Sequence, residues 1–484
     1  MLNRWKLERP ERVALIDPAG ETSYERLFQE ATSLACQWLD RGLSPGDVVG
    51  VALSRRSALA TTFLGVTGAG LSFMPLHPHR SPRELNRLCN AFSVRGLVLE
   101  KTTWKTLQFC RKGRVTVALD GTEGDVSWEE ATSLDSPSLP AYPRLHDSAY
   151  LNLTSGSTGA PKAAETTHEG LYWNTRGTIE ALNFTEDEPF LCLFSSHAHP
   201  HEHFCRPLFV GGTSVLEPSN NPKRVLNRLQ EHSIRCVMAV PSLYRILCRS
   251  MPPGQTQEGL RLLESGGAPS DRSLLDEVKA RFGVHLCPVW GSTETVGVAL
   301  ASALNTPPRP GYVGQPVPYY DVSLEKTDLG EELLVDGLGL YSAYRMPNGE
   351  RVPRKGVHRT GDLFEKDDRG QFRFLGRTTS VLKVAGEKVH PEKVEEVLRE
   401  HPLVRECLVL GIRHTSKGQV PVAFLVGKAA QRPQAKDLRA FCLQRLTSQE
   451  TPKRFEWVDT LPRLPGGKLD RNLSAKELQE RRKE

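Results

Sequence analysis

The segment from Tyr150 to Lys162 constrains the fold of this chain more than any other part of the sequence. It begins as an apolar, strand-like run and continues into a loop that combines hydroxyl groups, glycines and a lysine. Glycine lets a backbone approach an anion closely, hydroxyl groups donate hydrogen bonds, and lysine supplies a positive charge. We therefore predict a strand that leads into a polyphosphate-binding loop, with an ordinary surface turn as the alternative. The predicted loop contacts are Thr154, Ser155, Gly156, Ser157, Thr158, Gly159 and Lys162.

This loop differs from the Walker A loop of kinases and GTPases. The sequence lacks the spacing Gly-x-x-x-x-Gly-Lys-Ser/Thr here, and Lys162 follows Pro161, whose nitrogen carries no hydrogen. A kinase or a GTPase is therefore disfavoured.

Apolar strands and amphipathic helices alternate before and after the loop. Ser23 can cap a helix whose apolar residues recur at helical spacing, and Gly42 can end that helix. Such alternation is typical of α/β proteins, so we expect a large, multi-layer N-terminal domain with mixed sheets and helices. Buried strands are predicted at Asp47–Leu53, Leu71–Pro75, Ile234–Val240 and Val284–Val289.

The sequence pattern changes after Gly376. Pro391 suits the first turn of a helix, and the elements predicted beyond it form an α+β pattern. A chain of 484 residues also exceeds one typical hydrophobic core. We therefore expect a core domain of residues 1–376 and a small, mobile α+β domain of residues 377–484. Its further predicted elements are strands at Val404–Leu410 and Val420–Val426 and a helix near Asp437–Leu446.

The composition excludes several classes of partner. Lysine and arginine number 63 against 57 aspartate and glutamate, and the sequence has no basic stripe interleaved with aromatic residues, so we expect no nucleic-acid partner. Ten scattered cysteines include no Cys-x-x-Cys pair, which is typical of reduced thiols. The N-terminus shows no apolar signal region, and no apolar run is long enough for a bilayer. We predict a cytoplasmic protein without a membrane span.

Five further motifs follow the loop along the chain. In this order they resemble the adenylate-forming superfamily, which comprises acyl- and aryl-CoA synthetases, the adenylation domains of nonribosomal peptide synthetases, and luciferases. The resemblance extends over nearly the whole chain, from Glu11 to Lys468. The motifs are Glu264–Pro269, Val289–Thr295, His358–Leu363, Gly376–Gly386 and Leu464–Arg471.

The resemblance implies an ATP-dependent, AMP-forming acid–thiol ligase. Such an enzyme joins a small carboxylic acid to AMP with release of pyrophosphate. It then passes the acyl group to CoA or to a free-standing phosphopantetheinyl carrier protein, and the implied cofactors are ATP and Mg²⁺. Because a carboxylate is already ionised at neutral pH, its attack on the α-phosphorus needs positioning and charge cancellation rather than a general base.

Three residues carry the implied catalysis: Glu294, Thr158 and Lys468. Glu294 follows a turn-like segment and would hold Mg²⁺, with Ser292 or Thr293 as a phosphate contact. Lys468 would reach from the small domain to the carboxylate and the α-phosphate, an attraction of several kcal/mol that corresponds to roughly a thousandfold in rate. A solvated loop glutamate and a solvent-facing lysine are the alternatives.

The same motifs imply further nucleotide contacts. Asp362 would accept hydrogen bonds from both ribose hydroxyls, Arg377 would approach the ribose or the acyl phosphate, and Trp290 could stack on the adenine. A turn aspartate and a buried core tryptophan are the alternatives. The implied nucleotide site also contains the small residues Gly266, Gly267, Ala268 and Gly291.

The junction between the two expected domains is implied to be a hinge. Thr379 occupies the hinge position, where aspartate or lysine is frequent in the family. Lys383 and Gly386 match the loop that lines the thiol tunnel of the family, which favours a thioester product.

Four histidines occupy every second position from His197 to His203. An extended segment would place them on one face, where they could bind zinc beside Glu202, although Pro200 interrupts a regular strand. Structural histidines and the lining of an acid pocket are the alternatives. By the resemblance, this segment belongs to the acid-binding region. The predicted acid pocket comprises His197, Ala198, His199, Gly266, Val296 and Gly297.

The acid is predicted to lack an α-amino group. Ala198 or His199 stands where amino-acid-activating relatives carry an aspartate for the substrate ammonium, and burying an ammonium without that partner costs several kcal/mol. An aryl or acyl acid is therefore favoured. The alternatives are a stand-alone amino-acid-activating enzyme, an amide synthetase, or a catalytically silent nucleotide-binding homologue. The presence of Lys468, Glu294 and Asp362 argues against the silent homologue.

Overall fold

The computed structural model describes residues 2–78, 80–121, 124–134, 143–154, 161–304, 306–414, 418–428, 432–463 and 469–471. Helices and strands mostly alternate as far as Gly291, and within the described residues only strands follow from Val298 to Val389. The helices are α1 (Leu2–Glu8), α2 (Tyr24–Asp40), α3 (Ser57–Gly68), α4 (Pro82–Ala91), α5 (Lys101–Trp104), α6 (Trp128–Thr132), α7 (His168–Leu182), α8 (Cys205–Val210), α9 (Pro222–Glu231), α10 (Pro241–Ser250), α11 (Arg272–Phe282), α12 (Pro391–Glu400) and α13 (Ala435–Leu443). Short 3₁₀ helices span Gln108–Cys110 and Pro200–His203.

The strands belong to three sheets. In chain order they are β1 (Val13–Asp17), β2 (Gly20–Ser23), β3 (Val48–Ala52), β4 (Ser72–Pro75), β5 (Val94–Leu99), β6 (Val115–Ala118), β7 (Val126–Ser127), β8 (Ser148–Thr154), β9 (Lys162–Thr167), β10 (Phe190–Cys192), β11 (Ser214–Val215), β12 (Cys236–Ala239), β13 (Leu262–Ser265), β14 (Leu286–Gly291), β15 (Val298–Ala301), β16 (Tyr312–Pro316), β17 (Tyr320–Thr327), β18 (Gly330–Gly337), β19 (Ala343–Arg345), β20 (Arg351–Pro353), β21 (His358–Lys366), β22 (Phe372–Arg377), β23 (Leu382–Val384), β24 (Glu387–Val389), β25 (Val404–His414), β26 (Gly418–Gly427) and β27 (Arg454–Trp457).

The first sheet has 13 strands in the order β17-β18-β21-β22-β16-β15-β14-β13-β12-β10-β11-β1-β2. Strands β14, β13, β12, β10, β11 and β1 are parallel. Strands β15, β16, β22, β21, β18 and β17 continue the sheet in antiparallel pairs. Because β13 and β14 are parallel neighbours, their carboxyl ends carry residues 266–268 and 292–295 side by side.

The second sheet has nine strands in the order β20-β19-β9-β8-β4-β3-β5-β6-β7. From β8 to β7 the neighbours are parallel, and β9, β19 and β20 are added in antiparallel fashion. One buried cluster contains residues of both large sheets, including Leu15 of β1 and Phe73 of β4, together with Phe63 of α3. This shared core fixes the two sheets relative to each other.

The third sheet comprises β24-β23-β26-β25, with β27 parallel to β26. Helices α12 and α13 pack on it through Val394, Leu398 and Leu438, which are completely buried. The chain crosses from the first sheet to the third between β22 and β23. The predicted boundary after Gly376 lies before the last residue of β22, and it stays a prediction.

Helix α2 shows how the local sequence sets an element. Ser23 Oγ accepts a hydrogen bond from the Arg26 N–H at 3.3 Å, and the helix ends before Gly42, which has a φ of +83°. The predicted helix is confirmed, and the predicted strands are confirmed as β3, β4, β12, β14, β25 and β26. No described helix is both long enough and apolar enough to cross a membrane. All ten cysteines are described, and none of them forms a disulfide.

Candidate functional site

Thr154 and Lys162 are the described ends of the predicted phosphate loop. They are partners across β8 and β9, and Thr154 Oγ1 donates a hydrogen bond to the Lys162 carbonyl oxygen at 3.5 Å. Lys162 Nζ lies 3.5 Å from the ring centroid of Tyr344. The contacts predicted for Ser155, Gly156, Ser157, Thr158, Gly159 and Lys468 lie outside the described residues.

Asp362 brings three of the predicted residues together. Its Oδ2 accepts a hydrogen bond from Trp290 Nε1 at 3.0 Å, and its Oδ1 lies 3.0 Å from Arg377 Nε. Asp362 is 3% exposed and pairs with Arg377 across β21 and β22. The indole hydrogen bond orients the carboxylate, and the Arg377 guanidinium forms an ion pair with its other oxygen. The nucleotide contacts of these residues stay predictions.

Trp290 is also part of the core. The side chain is 8% exposed and meets Phe364 edge-on, with 5.6 Å between the ring centroids. The alternative of a core tryptophan is therefore confirmed, while stacking on adenine stays a prediction.

Strand β13 is followed by three residues with small or absent side chains, Gly266, Gly267 and Ala268. Gly266 is buried, and a Cβ there would lie 3.1 Å from Val289 Cγ2 and 3.4 Å from Phe194 Cζ. Gly267 has a φ of +84° and is exposed, as is Ala268. A flat group can therefore lie directly on this backbone.

Glu294 lies in a tight turn that follows β14. The Ser292 N–H donates to Thr295 Oγ1 at 2.7 Å, and the Thr295 N–H donates in return to Ser292 Oγ at 3.2 Å. The Thr293 carbonyl oxygen accepts a hydrogen bond from the Val296 N–H at 3.2 Å. The turn leaves the Glu294 side chain half-buried.

Tyr344 connects Glu294 with Lys162 across the two large sheets, and no motif in the sequence points to it. Its hydroxyl donates a hydrogen bond to Glu294 Oε1 at 2.9 Å, and its ring lies beneath the Lys162 ammonium. Burial and the nearby Glu294 carboxylate raise the pKa of Tyr344, so the hydroxyl stays protonated at neutral pH. Tyr341 adds a backbone contact, since its N–H donates to the Glu294 carbonyl oxygen at 2.9 Å.

Glu165 holds the strand that carries Tyr344. It is 2% exposed and forms ion pairs with Arg345 and, at 2.8 Å, with Arg351. Burial opposes its ionisation, but hydrogen bonds from the two arginines outweigh burial and lower the pKa of Glu165. The ion pairs therefore fix β19 against β9.

The histidine-rich segment is not extended, so the single face of histidines that an extended segment would form is not present. Pro200 starts a 3₁₀ helix at Pro200–His203, because proline fits a first helical turn and cannot donate to a strand ladder. Tyr150 Oη and Asn152 Nδ2 both donate to the Ala198 carbonyl oxygen, at 2.8 and 2.7 Å. Strand β8 therefore holds the segment that is predicted to line the acid pocket.

The histidines of this segment fall into two groups. His201 and His203 are 2% and 0% exposed, and burial lowers the pKa of each to about 3, so both rings are neutral. His197 and His199 are half-buried, and the His197 ring lies 5.0 Å from the ring of His77. Within the described residues, no group of three or more histidine, cysteine, aspartate or glutamate residues could hold a metal ion, which disfavours the zinc interpretation.

Behind this segment lies a buried ionic triad of Glu202, Arg206 and Glu264. Arg206 forms an ion pair with Glu202 and another with Glu264, in which Nη1 and Oε2 are 2.6 Å apart. All three side chains are at most 3% exposed. Burial raises the pKa of both carboxyl groups, against the attraction of the guanidinium. Charged residues in otherwise apolar stretches are the sequence signal that could have revealed the triad.

The triad adjoins Gly297 of the predicted acid pocket. A Cβ at Gly297 would overlap Glu202 Oε1 and would lie 2.8 Å from Asn174 Oδ1. A Cβ at Gly291 would likewise overlap the Gly297 carbonyl oxygen. Gly297 is thus packed against Glu202 of the triad, and a larger residue at position 297 would require Glu202 or Asn174 to shift.

Lys383 and Gly386 lie on the exposed hairpin of β23 and β24, where Gly386 has a φ of +87°. Lys383 also lines a cavity of about 470 Å³ with Glu332 and Thr378, between the first and third sheets. The role of Lys383 and Gly386 in a thiol tunnel stays a prediction, as does Thr379 as the hinge residue.

Comparisons with known proteins cover nearly the whole chain. The family described as AMP-binding enzyme matches residues 2–344, and its C-terminal domain matches residues 393–468. Feruloyl-CoA synthase of Amycolatopsis sp is 28% identical, with 97% of each chain covered. The 2-succinylbenzoate–CoA ligase of Bacillus subtilis is 26% identical over 97% of this chain and 96% of the relative. The ATP-bound crystal structure of MatB from Rhodopseudomonas palustris, 26% identical, superposes with a TM-score of 0.89 and covers 99% of this chain and 98% of that one.

Proposed function

The chain belongs to the family of AMP-binding enzymes and is an AMP-forming acid–thiol ligase, and we propose that its substrate is an aryl or acyl acid without an α-amino group. In the proposed reaction the acid displaces pyrophosphate from ATP, and the acyl group then passes to the thiol of CoA. The names of the feruloyl and 2-succinylbenzoate relatives support both an aryl acid and CoA. The proposed compartment is the cytoplasm, because none of the ten cysteines, all described, forms a disulfide.

The arrangement of Lys162, Tyr344 and Glu294 carries the proposal for the ATP half-reaction. An ammonium from the second sheet and a carboxylate after β14 of the first sheet both contact one tyrosine, the ammonium over its ring and the carboxylate at its hydroxyl. A polyphosphate needs positive charge on its oxygens, and the metal that accompanies it needs a carboxylate ligand. The two groups supply these functions at neighbouring positions.

Glu294 fits the ligand requirement of Mg²⁺. It is a hard oxygen donor, and its Oε2 accepts no hydrogen bond from the described residues, whereas Oε1 is bound by Tyr344. Protein sites for Mg²⁺ use one or two carboxylates together with phosphate oxygens and water. When bound there, Mg²⁺ would neutralise charge on the phosphates of ATP.

The side chains of the enzyme hold and orient the reactants. Asp362, fixed by Trp290 and Arg377, would hold the ribose through its hydroxyls, and Lys162 would offset phosphate charge. Lys468 would draw the carboxylate and the α-phosphate together. Because the acid attacks as a carboxylate, positioning and charge neutralisation are sufficient.

The surroundings of Ala198 support an acid without an ammonium group. Its carbonyl oxygen is already bound by Tyr150 and Asn152. The carboxylate of the same segment, Glu202, is 3% exposed and paired with Arg206. A substrate ammonium would therefore lack a carboxylate partner in this segment, at a cost of several kcal/mol.

Acid-dependent ATP–pyrophosphate exchange tests this proposal. The panel contains matched pairs of acids that differ only in the α-amino group, and each active acid is then assayed for thioester formation with CoA. We expect exchange with aryl or acyl acids, little exchange with their amino counterparts, and a CoA thioester as product. Glu294→Gln should lower the exchange rate, because a neutral amide is a poorer ligand for a hard cation.

Three results would contradict parts of the proposal. Exchange that is faster with the amino acid of each pair would place the enzyme among amino-acid-activating proteins. Exchange without any CoA thioester would point to a carrier protein or an amine as acceptor. No exchange with any acid, in a protein that binds ATP, would favour the silent homologue.

A further inference from the structure

Tyr344 contacts two opposite charges, those of Lys162 and Glu294, through different parts of its side chain. The Lys162 ammonium lies 3.5 Å from the centroid of the ring, and the hydroxyl of the same ring donates to Glu294 Oε1 at 2.9 Å. The π-face of an aromatic ring attracts a cation, and a phenol hydroxyl donates well to a carboxylate. One neutral side chain thus supplies an interaction partner for each charged group, and no direct ion pair between the two groups is required.

Three kinds of contact hold this side chain in place. Tyr344 lies in the middle of β19, where it pairs with Ala164 of β9. Its neighbour Arg345 is bound to the buried Glu165, and the Tyr341 ring lies 4.7 Å from its own ring. Strand pairing, an ion pair and ring packing together hold the Tyr344 ring between the two sheets.

The hydrogen bond also limits how Glu294 can bind a metal ion. Because the Tyr344 hydroxyl uses one lone pair of Oε1, the hydrogen bond favours ligation of a metal ion through Oε2 alone. Mg²⁺ prefers such single-oxygen ligation in a near-ideal octahedron, whereas Ca²⁺ readily takes both oxygens of a carboxylate. A partner that orients a ligating carboxylate commonly changes metal affinity by about 10–100-fold.

We propose that Tyr344 is a positioning residue that keeps Lys162 and Glu294 apart and sets the preference of the site for Mg²⁺ over Ca²⁺. The inference rests on the proposed function, in which Glu294 holds the metal and Lys162 meets the phosphates. The ring supplies the separation, and the hydroxyl supplies the metal preference. Two variants of Tyr344 separate these roles.

Tyr344→Phe keeps the ring and removes the hydroxyl. We expect Mg²⁺-dependent binding of a non-hydrolysable ATP analogue to weaken about tenfold, while binding in the presence of Ca²⁺ weakens less or improves. Tyr344→Ala also removes the ring, so Lys162 and Glu294 can pair directly, and we expect a larger loss with both metals. Calorimetric titration of the analogue at fixed Mg²⁺ or Ca²⁺, without acid, measures both effects independently of turnover.

Tyr319→Phe is the matched control. Tyr319 also donates a hydrogen bond to a glutamate, Glu180, at 2.8 Å, but on the exposed surface at α7. We expect this variant to bind the analogue like the wild type with either metal.

A double-mutant cycle with Glu294→Gln excludes a merely structural role of Tyr344. If Tyr344 acts through Glu294, Tyr344→Phe should weaken Mg²⁺-dependent binding little further when it is combined with Glu294→Gln. Equal losses with and without Glu294→Gln, or an unchanged ratio of Mg²⁺ to Ca²⁺ affinity in Tyr344→Phe, would overturn the inference. Failure of the wild type to bind the analogue with Mg²⁺ would instead overturn the proposed function on which it rests.

Discussion

Arg206 supplies the positive charge that compensates two buried carboxylates next to the predicted acid pocket. It is 2% exposed and lies between the carboxylates of Glu202 and Glu264, and Oε1 of Glu264 has no hydrogen-bond partner among the described residues. Removing the guanidinium would leave two carboxyl groups facing each other without a counter-charge. Such uncompensated buried groups are far more costly than lost surface ion pairs.

We therefore expect Arg206→Met to destabilise the protein by about 3–5 kcal/mol. The control is Arg26→Met, which removes an exposed pair with Glu30 on α2 and should cost at most about 1 kcal/mol. Urea unfolding of the three proteins measures the difference. Similar losses in both variants would show that the triad is not the source of stability.

The two buried histidines, His201 and His203, make stability depend on pH. Burial lowers the pKa of each to about 3, with Arg206 or Arg55 adding repulsion, whereas an unfolded histidine has a pKa of about 6.5. Because the folded pKa is the lower one, folding favours the neutral ring. The stabilisation is fully present above about pH 6.5 and is lost as the pH falls toward 3.

Replacing one of these histidines should flatten that dependence. For His203→Asn we expect the slope of the unfolding free energy between about pH 6 and 4 to fall by up to about 1.4 kcal/mol per pH unit. His201→Asn should give a similar change, and the double variant about twice as much. Urea unfolding at several pH values gives the slopes, and slopes equal to that of the wild type would refute buried neutral histidines.

At the scale of elements, three chain segments meet where Gly297 carries no side chain. A Cβ there would overlap Glu202 Oε1 and approach Asn174. We expect Gly297→Ala to push the acid-binding segment aside and to lower kcat/KM for the acid about 100-fold, because misplacement by about 1 Å has effects of that size. The KM for ATP should change less.

Gly68→Ala is the control for this substitution. Gly68 ends α3, has no atom within 4 Å of a Cβ placed on it, and does not adopt positive φ. Alanine there should leave kinetics unchanged and can stabilise the helix by up to about 1 kcal/mol. Steady-state kinetics with acid and ATP varied in turn provide the comparison, and an unchanged KM and kcat for the acid in Gly297→Ala would remove position 297 from the pocket.

Elements with strong periodicity and local caps were predictable from the sequence. Helix α2 has its cap at Ser23 and its stop at Gly42, and β3 is a continuous apolar run buried on both faces. The antiparallel extension formed by β16, β17, β18, β21 and β22 was not predicted. Strand β17 alternates between more and less buried residues, but β18 and β21 mix buried and exposed residues without a clear alternation. The pairing of β16 with β22, which joins Tyr312 to Arg373, depends on partners far apart in the sequence.

Residues of the candidate site could be predicted only where they belong to one of the sequence motifs. Asp362, Arg377 and Trp290 were identified from separate motifs, and the structure brings them into contact. Tyr344 was missed because it belongs to no motif, and its importance arises only when β19 lies between Lys162 and Glu294. Arg206 belongs to no motif either, and although a charge in an apolar stretch was a signal, its pairing with Glu264 of a distant strand could not be read from the sequence.

At the scale of the whole molecule, the two large sheets supply Lys162, Glu294, Asp362 and Arg377, while Lys468 follows the third sheet. The third sheet is joined to the first through the short segment between β22 and β23. Among the predicted charges, Lys468 is therefore the one that movement of the small domain could bring to or withdraw from the reactants. Such a charge would serve only the half-reaction in which the small domain is in place.

We expect Lys468→Ala to slow adenylate formation by about two to four orders of magnitude, because a charge aimed at the developing transition state is lost. Transfer of the acyl group from a supplied acyl-adenylate to CoA should be affected much less, since that step does not need the charge at the α-phosphate. Single-turnover assays of each half-reaction measure the two rates separately. Lys428→Ala, at an exposed lysine after β26, is the control and should leave both rates unchanged. Equal losses of rate in the two half-reactions of Lys468→Ala would show that the lysine acts in both half-reactions. The proposal that the small domain delivers this lysine for adenylate formation alone would then be wrong.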